Sequence, residues 1–445
     1  MLTVPDKKHS KTRASLSDSN KVTVEDRPAH DWYRFVLSFP PHLVREYLDR
    51  FEASAGSVVL DPFCGTGTTV VECKKQGIAS IGIEAHPLSH FAGTVKTNWS
   101  VSAVKLRKVA RAIADKTMLS LESQGIIDDP QQWILCEAPP LAALRSLPEE
   151  ALKLLLANSI SPLPLHKSLV LREFIERQAT PDTLAPMRLA LAKALVASIS
   201  NLHFGPEVGV TTPKEDAPVV SSWLRCVEAM ADDLERLRPL DKTPCTIHHG
   251  DARALSSMLK PQSIDAVITS PPYPNEKDYT RTTRLESVML GFISTKQELQ
   301  NLKRGKLLRS NTRNVYKGDA DDQMAAGNPE VQRLMRTIEA RRIELGKTSG
   351  FERLYAKVTG LYFGGMARHF AELRQCLKPG ARLAYVVGDQ ASFLRVMIRT
   401  GLILGQLAEE LGYEIESIDL FRTRLATATR EQLREEVLVL RWPGK

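Results

Sequence analysis

Two short stretches of this chain carry residue types and spacings that can do chemistry. The first is Asp61-Pro-Phe-Cys-Gly-Thr-Gly67, where glycines at 65 and 67 permit a tight turn and a close approach of backbone to a ligand. An apolar run begins at Ser57 and ends before the turn, and a helix opens at Thr68 after it. The turn therefore lies between a strand end and a helix N-terminus, where open α/β sheets bind ligands. The next apolar run, Ile78 to Glu84, ends on an acid placed to accept both hydroxyls of a ribose. A glycine turn alone could merely link strand to helix, and Glu84 is what favours a ligand. The third glycine of the dinucleotide fingerprint is missing and no Gly-Lys-Ser/Thr follows, so a nucleoside without phosphates fits better than a nucleotide.

The second stretch is Ser270-Pro-Pro-Tyr273, at the end of the apolar run that starts at Ser263. Prolines 271 and 272 lack backbone N–H groups and stiffen the loop, which leaves the Ser270 side chain and a neighbouring carbonyl as acceptors. Between the two stretches, Cys245 to Asp251 reads as a third strand running into a polar turn. Asp251 there can face a ligand or cap the following helix.

A β-α-β unit over about 57 to 84 starts a parallel sheet, which pauses and then resumes at 245. Residues 101–240 show little strand signal; Val104, Val109 and Ile113, or Leu224, Val227 and Met230, recur at helical spacing, and seven prolines between 139 and 186 cut the region into short helices. It is expected to be an inserted helical subdomain, with 29–100 and 241–445 forming the main domain and 1–28 a mobile polar tail. A second insertion, 295–350, carries Lys303, Arg304, Lys306, Arg309, Arg313 and Lys317 without an intervening acid, either a solvated loop or a phosphate-tracking surface. A helix over about 362–377, the turn Leu-Lys-Pro-Gly-Ala, a strand at 382–389, a helix at 392–411 and two final alternating runs complete seven strands, the last two a hairpin.

Composition limits the choices further. At 445 residues, 43% apolar and 25% charged, the chain has room for two or three domains and reads as globular, with no run long enough to span a membrane. Lys plus Arg exceed Asp plus Glu by 60 to 52, a surplus of 8 that favours an anionic partner. Six scattered cysteines have neither CxxC pairing nor zinc-ligand spacing, and the first residues lack a signal-peptide core. Free thiols in the cytoplasm and no metal are expected.

Asp-Pro-Phe-Cys-Gly-Thr-Gly-Thr-Thr, an acid-terminated second strand and then Thr269-Ser-Pro-Pro-Tyr273 resemble the amino-directed DNA methyltransferases that use S-adenosylmethionine. The resemblance covers about 30–100 and 245–441 and omits both insertions. It implies a class I methyltransferase fold, Rossmann-like, with a seven-stranded, mostly parallel α/β sheet and a reversed final hairpin. By the same likeness, the methionine part of the cofactor would lie against Asp61, Phe63, Gly65 and Gly67, the ribose on Glu84, and the adenine on Asp251 and Ala252. Cys64 would touch the cofactor. The segments His30–Phe35 and Phe39–His42 resemble a region that closes over the methionine, with simple packing as the other reading.

The resemblance makes Ser270, Pro271, Pro272 and Tyr273 the catalytic loop. The exocyclic amine of a base is a poor nucleophile because its lone pair is delocalised, so acceptors on its hydrogens must localise that pair. Tyr273 would stack on a base rotated out of the duplex. Ser-Pro-Pro-Tyr is typical of cytosine N4 enzymes, whereas Asp- or Asn-Pro-Pro-Tyr is more usual for adenine N6. Pro244-Cys245 carries the pair found in cytosine C5 enzymes, but it starts the strand before Asp251 and so lies on the wrong side. Arg281 and Arg284, just after the loop, would clamp phosphates or pair with Asp278 or Glu286. The expected function is site-specific methylation of double-stranded DNA at cytosine N4, within a restriction-modification pair if a cognate endonuclease exists. Adenine N6 methylation, methylation of an amine in RNA and a non-catalytic recognition subunit are the alternatives.

Overall fold

A computed structural model describes residues 22–34, 38–128, 143–204, 208–275, 277–425 and 432–444. Among the described residues, nine strands in chain order are β1 (Val58–Asp61), β2 (Ala79–Glu84), β3 (Leu202–Phe204), β4 (Val208–Val210), β5 (Cys245–His249), β6 (Ile264–Thr269), β7 (Leu377–Gly388), β8 (Glu414–Leu425) and β9 (Gln432–Arg441). Seven form one sheet in the order β5-β2-β1-β6-β7-β9-β8. The pairs from β5 through β7 are parallel, and β9 runs antiparallel to both β7 and β8. This is the class I methyltransferase topology with its reversed hairpin. The order reverses direction at β1, so β1 and β6 diverge into helices on opposite sides and open a crevice at their carboxyl ends.

Strand alternation divides the core between two faces. Val59, Ala266, Ile268, Val437 and Val439 pack with the helix Pro41–Arg50 on one face, while Leu60, Val267, Leu438 and Leu440 pack with the helices Tyr355–Cys376 and Thr400–Glu410 on the other.

Several boundaries differ from the sequence reading. The region 101–240 is helical in the main, with helices such as Ala103–Glu122, Pro162–Gln178 and Val219–Leu237, but it also holds the β3–β4 hairpin. It does not have a core of its own, because Leu106, Leu171 and Trp223 share one apolar cluster with Leu88, Trp99, Leu285 and Met289 from the main domain. The segment 295–350 is not a solvated loop: Leu308, Val331, Leu334 and Ile338 are buried against the sheet's second face. The tail is shorter than expected. Residues 1–21 lie outside the described residues, but Asp26 is buried and accepts from Arg45 at 2.8 Å, and its carbonyl accepts from Lys75 at 3.1 Å.

The helix before β7 begins at Tyr355 rather than 362. Gly360, a poor helix former, lies in the missed first turns, and Gly364 and Gly365 follow within the expected span. They are there because another backbone packs onto them: a Cβ on Gly364 would lie 1.9 Å from the Asp321 carbonyl oxygen. Similarly, β7 starts at Leu377 and runs through Pro379-Gly380, which read as a turn.

Candidate active site

A cavity of about 550 Å3 occupies the crevice, within the roughly 300–1,000 Å3 usual for small-molecule sites. One arm lies over the ends of β1, β2 and β5 and is walled by Phe63, Cys64, Gly65, Glu84, Asp251 and Ala252. The other lies over β6 and β7 and is walled by Ser270, Pro271, Pro272, Tyr273 and Gln390. Ser38, Phe39 and Pro40 also line it. Of the two N-terminal segments, therefore, the second reaches the cavity; His30 instead bonds Glu72 at 2.7 Å and Trp32 donates to Asp233 at 2.8 Å.

In the first arm, Glu84 accepts from Gly65 N and His86 N, each at 2.7 Å, which fixes both the carboxylate and the glycine turn. Burial raises its pKa to about 7. Gly65 and Gly67 have φ of 53° and 89°, the left-handed region that favours glycine. Gly67 does not line the cavity; it caps the helix Thr68–Lys75 and lies against Gly93, whose Cα would be 3.4 Å from a Cβ at 67. Asp61 also differs from the expectation. It is fully buried behind the wall, with Oδ1 accepting from Thr269 Oγ1 at 2.6 Å and Phe63 N at 3.2 Å, and burial raises its pKa to about 6. The strand end turns Asp61 toward β6 and leaves Phe63 as the wall.

Asp251 is held by a residue that the motifs did not flag. Arg253 donates Nε to Asp251 Oδ1 at 3.0 Å and a terminal nitrogen to Oδ2 at 2.8 Å. His369, also unforeseen, is buried beneath the same arm: its Nδ1 is 2.7 Å from the Ala252 carbonyl, its Nε2 is 2.6 Å from the Tyr385 hydroxyl, and its ring meets Phe63 edge-on at 4.9 Å. Neither could have been found from spacing, since one is two residues past a turn and the other is in the middle of a helix.

Burial raises the Cys64 and Cys245 thiols above their ordinary pKa, so neither is a ready thiolate. Cys64 Sγ packs against Gly82, where a Cβ would be 2.6 Å away. Cys245 is absent from the cavity wall.

In the second arm, Ser270 Oγ donates to the Val386 carbonyl at 3.0 Å. Its single proton is thereby used, and the oxygen can only accept from anything else. Burial raises the Tyr273 phenol above its ordinary range while a hydrogen bond with Ser270 opposes that shift. The Tyr273 ring rests on Gly388, whose Cβ would be 3.1 Å from Cε2, so a side chain there would displace the ring. Phe421, Arg422 and Glu435, from the terminal hairpin, close this end.

The basic residues divide sharply. Lys303 is buried in an ion pair with Asp278, and Arg309 is buried, donating to the carbonyls of Lys303 (2.8 Å), Leu307 and Arg304 (2.7 Å each) and to Asp319 (3.0 Å). These two were expected on phosphates and are instead internal braces, because the chain folds back on itself and needs donors for its turn carbonyls. Arg304 is exposed, over the Tyr316 ring at 5.1 Å, and Lys306 is an exposed residue of the cavity wall with Nζ 3.1 Å from the His249 carbonyl. Arg284 donates to Thr280 O at 2.9 Å and Leu154 O at 3.3 Å. Burial lowers its pKa, with Arg281 and Arg313 adding to the effect, so three arginines sit near one another here. Neither a cluster of metal ligands nor a helix long and apolar enough to cross a membrane occurs among the described residues.

A family model described as DNA methylase matches residues 6–90. Type II methyltransferase M.BsoBI of Geobacillus stearothermophilus is 25% identical over 437 residues, covering 92% of this chain and 83% of the relative. Type II methyltransferase M.AvaI of Nostoc sp. is 23% identical over 452 residues, covering 94% and 87%. M.MjaII of Methanocaldococcus jannaschii reaches 35% identity over 88 residues, 20% of this chain and 16% of its own. With the fold and the motif order, these matches support the amino-directed DNA methyltransferase family for this chain. The same matches support methylation of an exocyclic amine of a base as the reaction, and family and fold imply S-adenosylmethionine as methyl donor.

The residues present fit that donor. Two carboxylates, Glu84 and Asp251, line one arm and can accept from hydroxyl and amino groups, and Thr66 presents a buried hydroxyl without a partner in the same wall.

Proposed function

We propose that the enzyme methylates cytosine N4 at a specific duplex site, holding the flipped base in the Ser270–Tyr273 arm. The observation that supports this most is the Ser270 hydroxyl, whose donated bond to Val386 leaves only lone pairs for the base. An amine N–H pointed at Ser270 Oγ, and a second pointed at a loop carbonyl, would draw the nitrogen lone pair out of conjugation and toward the other arm. Bound there, S-adenosylmethionine supplies an electrophilic methyl group on a sulfonium. After transfer the amine carries a surplus proton, and the same acceptors lie along its exit. Tyr273 stays neutral and offers its ring face to the base. Glu84 and Asp251 orient ribose and adenine, Phe63 covers the methionine side, and the Gly65 turn admits it.

DNA would approach over Lys306 in the cavity wall, with the exposed Arg304 and Arg313 and the half-buried Arg281 as further candidate contacts. The Type II relatives support a role in restriction-modification; a cognate endonuclease as partner and the cytoplasm as the place of action belong to the same proposal. Ser270→Ala removes the side-chain acceptor and is expected to lower methyl incorporation into DNA by about a hundredfold, as loss of one transition-state hydrogen bond does. S-adenosylhomocysteine binding should stay within about twofold of wild type, the two arms being separate. Equal loss of both would overturn the assignment.

A further inference from the structure

Arg253 does more than face Asp251. Its remaining terminal nitrogen pairs with Asp321, and a 3.3 Å bond runs to the Gly305 carbonyl, so one buried guanidinium joins the turn after β5 to two points of the 295–350 insertion. Asp321 is itself seated by shape. It enters a notch in the helix Tyr355–Cys376 made by Gly364 and Gly365, where a Cβ at Gly365 would come within 2.5 Å of Leu308 and 3.4 Å of Asp321 Oδ2. The second oxygen of Asp321 faces Arg368 at 3.4 Å. Asp321 is not part of the cavity wall, whereas Asp251 and Arg253 are.

We propose that Arg253 is a positioning residue that fixes the Asp251 carboxylate for the cofactor's adenine, and that Asp321 sets where Arg253 sits. The docking of the insertion thereby determines cofactor affinity, a proposal that rests on the cofactor reading of Asp251. A guanidinium suits the role because its planar fork can serve two carboxylates and a carbonyl at once, which an ammonium cannot do in fixed geometry. Without Asp321 the guanidinium keeps only Asp251 and the long Gly305 bond, so the fork that restrains Asp251 is less fixed while the Asp251 charge is unchanged. Asp322, next in sequence, pairs with Lys357 across the same notch and has no bond to Arg253, so it reports on docking alone.

Calorimetric titration of the full chain with S-adenosylhomocysteine tests this. Asp321→Asn and Arg253→Lys should each weaken binding about tenfold, raising KM for the methyl donor with kcat at saturation nearly unchanged; Asp322→Asn should bind as wild type. The double variant Arg253→Lys/Asp321→Asn should be no weaker than Arg253→Lys alone, since both act through one restraint. Wild-type affinity in Asp321→Asn, or equal weakening in Asp322→Asn, would overturn the proposal. Asp251→Ala separates it from the underlying reading: if that variant also binds as wild type, the cofactor assignment of Asp251 fails, whereas if it alone is weak, only the positioning roles of Arg253 and Asp321 fail.

Discussion

Thr269 Oγ1 donates to Asp61 Oδ1 at 2.6 Å, joining the end of β6 to the end of β1 across 208 residues of chain. The bond connects the residue before Ser270 with the first residue of the glycine loop, so the two arms of the cavity share one hinge. Asp61 Oδ2 is buried without a partner, which makes the remaining bonds to Oδ1 costly to lose. Thr269→Val should destabilise the protein by about 1–3 kcal/mol in urea unfolding. Thr269→Ser restores the hydroxyl and should recover most of that.

Glu84 provides a pH signature. Burial raises its folded pKa to about 7 from 4.5, so the folded protein holds this proton more tightly than the unfolded chain. The resulting stabilisation is complete below about pH 4.5 and is lost as pH rises through about 7. Relative to Glu84→Gln, which does not titrate, the cofactor-free wild-type protein should therefore become progressively less stable between these values. Chemical denaturation of both proteins across that range checks the sign; a difference that stays flat or grows with pH would contradict it.

The basic insertion separates into braces and candidate contacts. Lys303→Ala leaves the buried Asp278 carboxylate without its counter-charge and should cost about 3–5 kcal/mol in stability, while Arg309→Ala strips buried turn carbonyls of their donor and should cost about 1–3 kcal/mol. Lys306→Ala and Arg313→Ala should leave the melting temperature nearly unchanged. Each of these two should flatten the dependence of log K on log salt for duplex DNA by about 0.9. Unchanged salt slopes in both would move phosphate binding elsewhere.

Much of this site was legible in the sequence because it depends on local rules. Gly65, Glu84 and Ser270 each stand where a strand ends, and a strand end in a parallel sheet faces the crevice whatever else the chain does. Asp61 lies at such an end too, yet its partner is Thr269 rather than open space, and no spacing rule foretells which way a strand-terminal side chain turns. Lys303 and Arg309 looked solvated because acids were missing within their own run. Their partners, Asp278 and Asp319, flank it on either side. Arg253 and His369 were illegible for a related reason, since each acts through residues brought near only by tertiary packing. The helix around Gly364 and Gly365 was read from about 362, and only its first turns, from Tyr355 past Gly360, were missed.

The most direct test of the central claim is nucleoside mass spectrometry of DNA and RNA from cells expressing the wild-type chain or Ser270→Ala. The account predicts N4-methylcytosine in DNA from wild-type cells, absent from the host without the gene and strongly reduced in Ser270→Ala. N6-methyladenine in its place, or methylated amines confined to RNA, would contradict it.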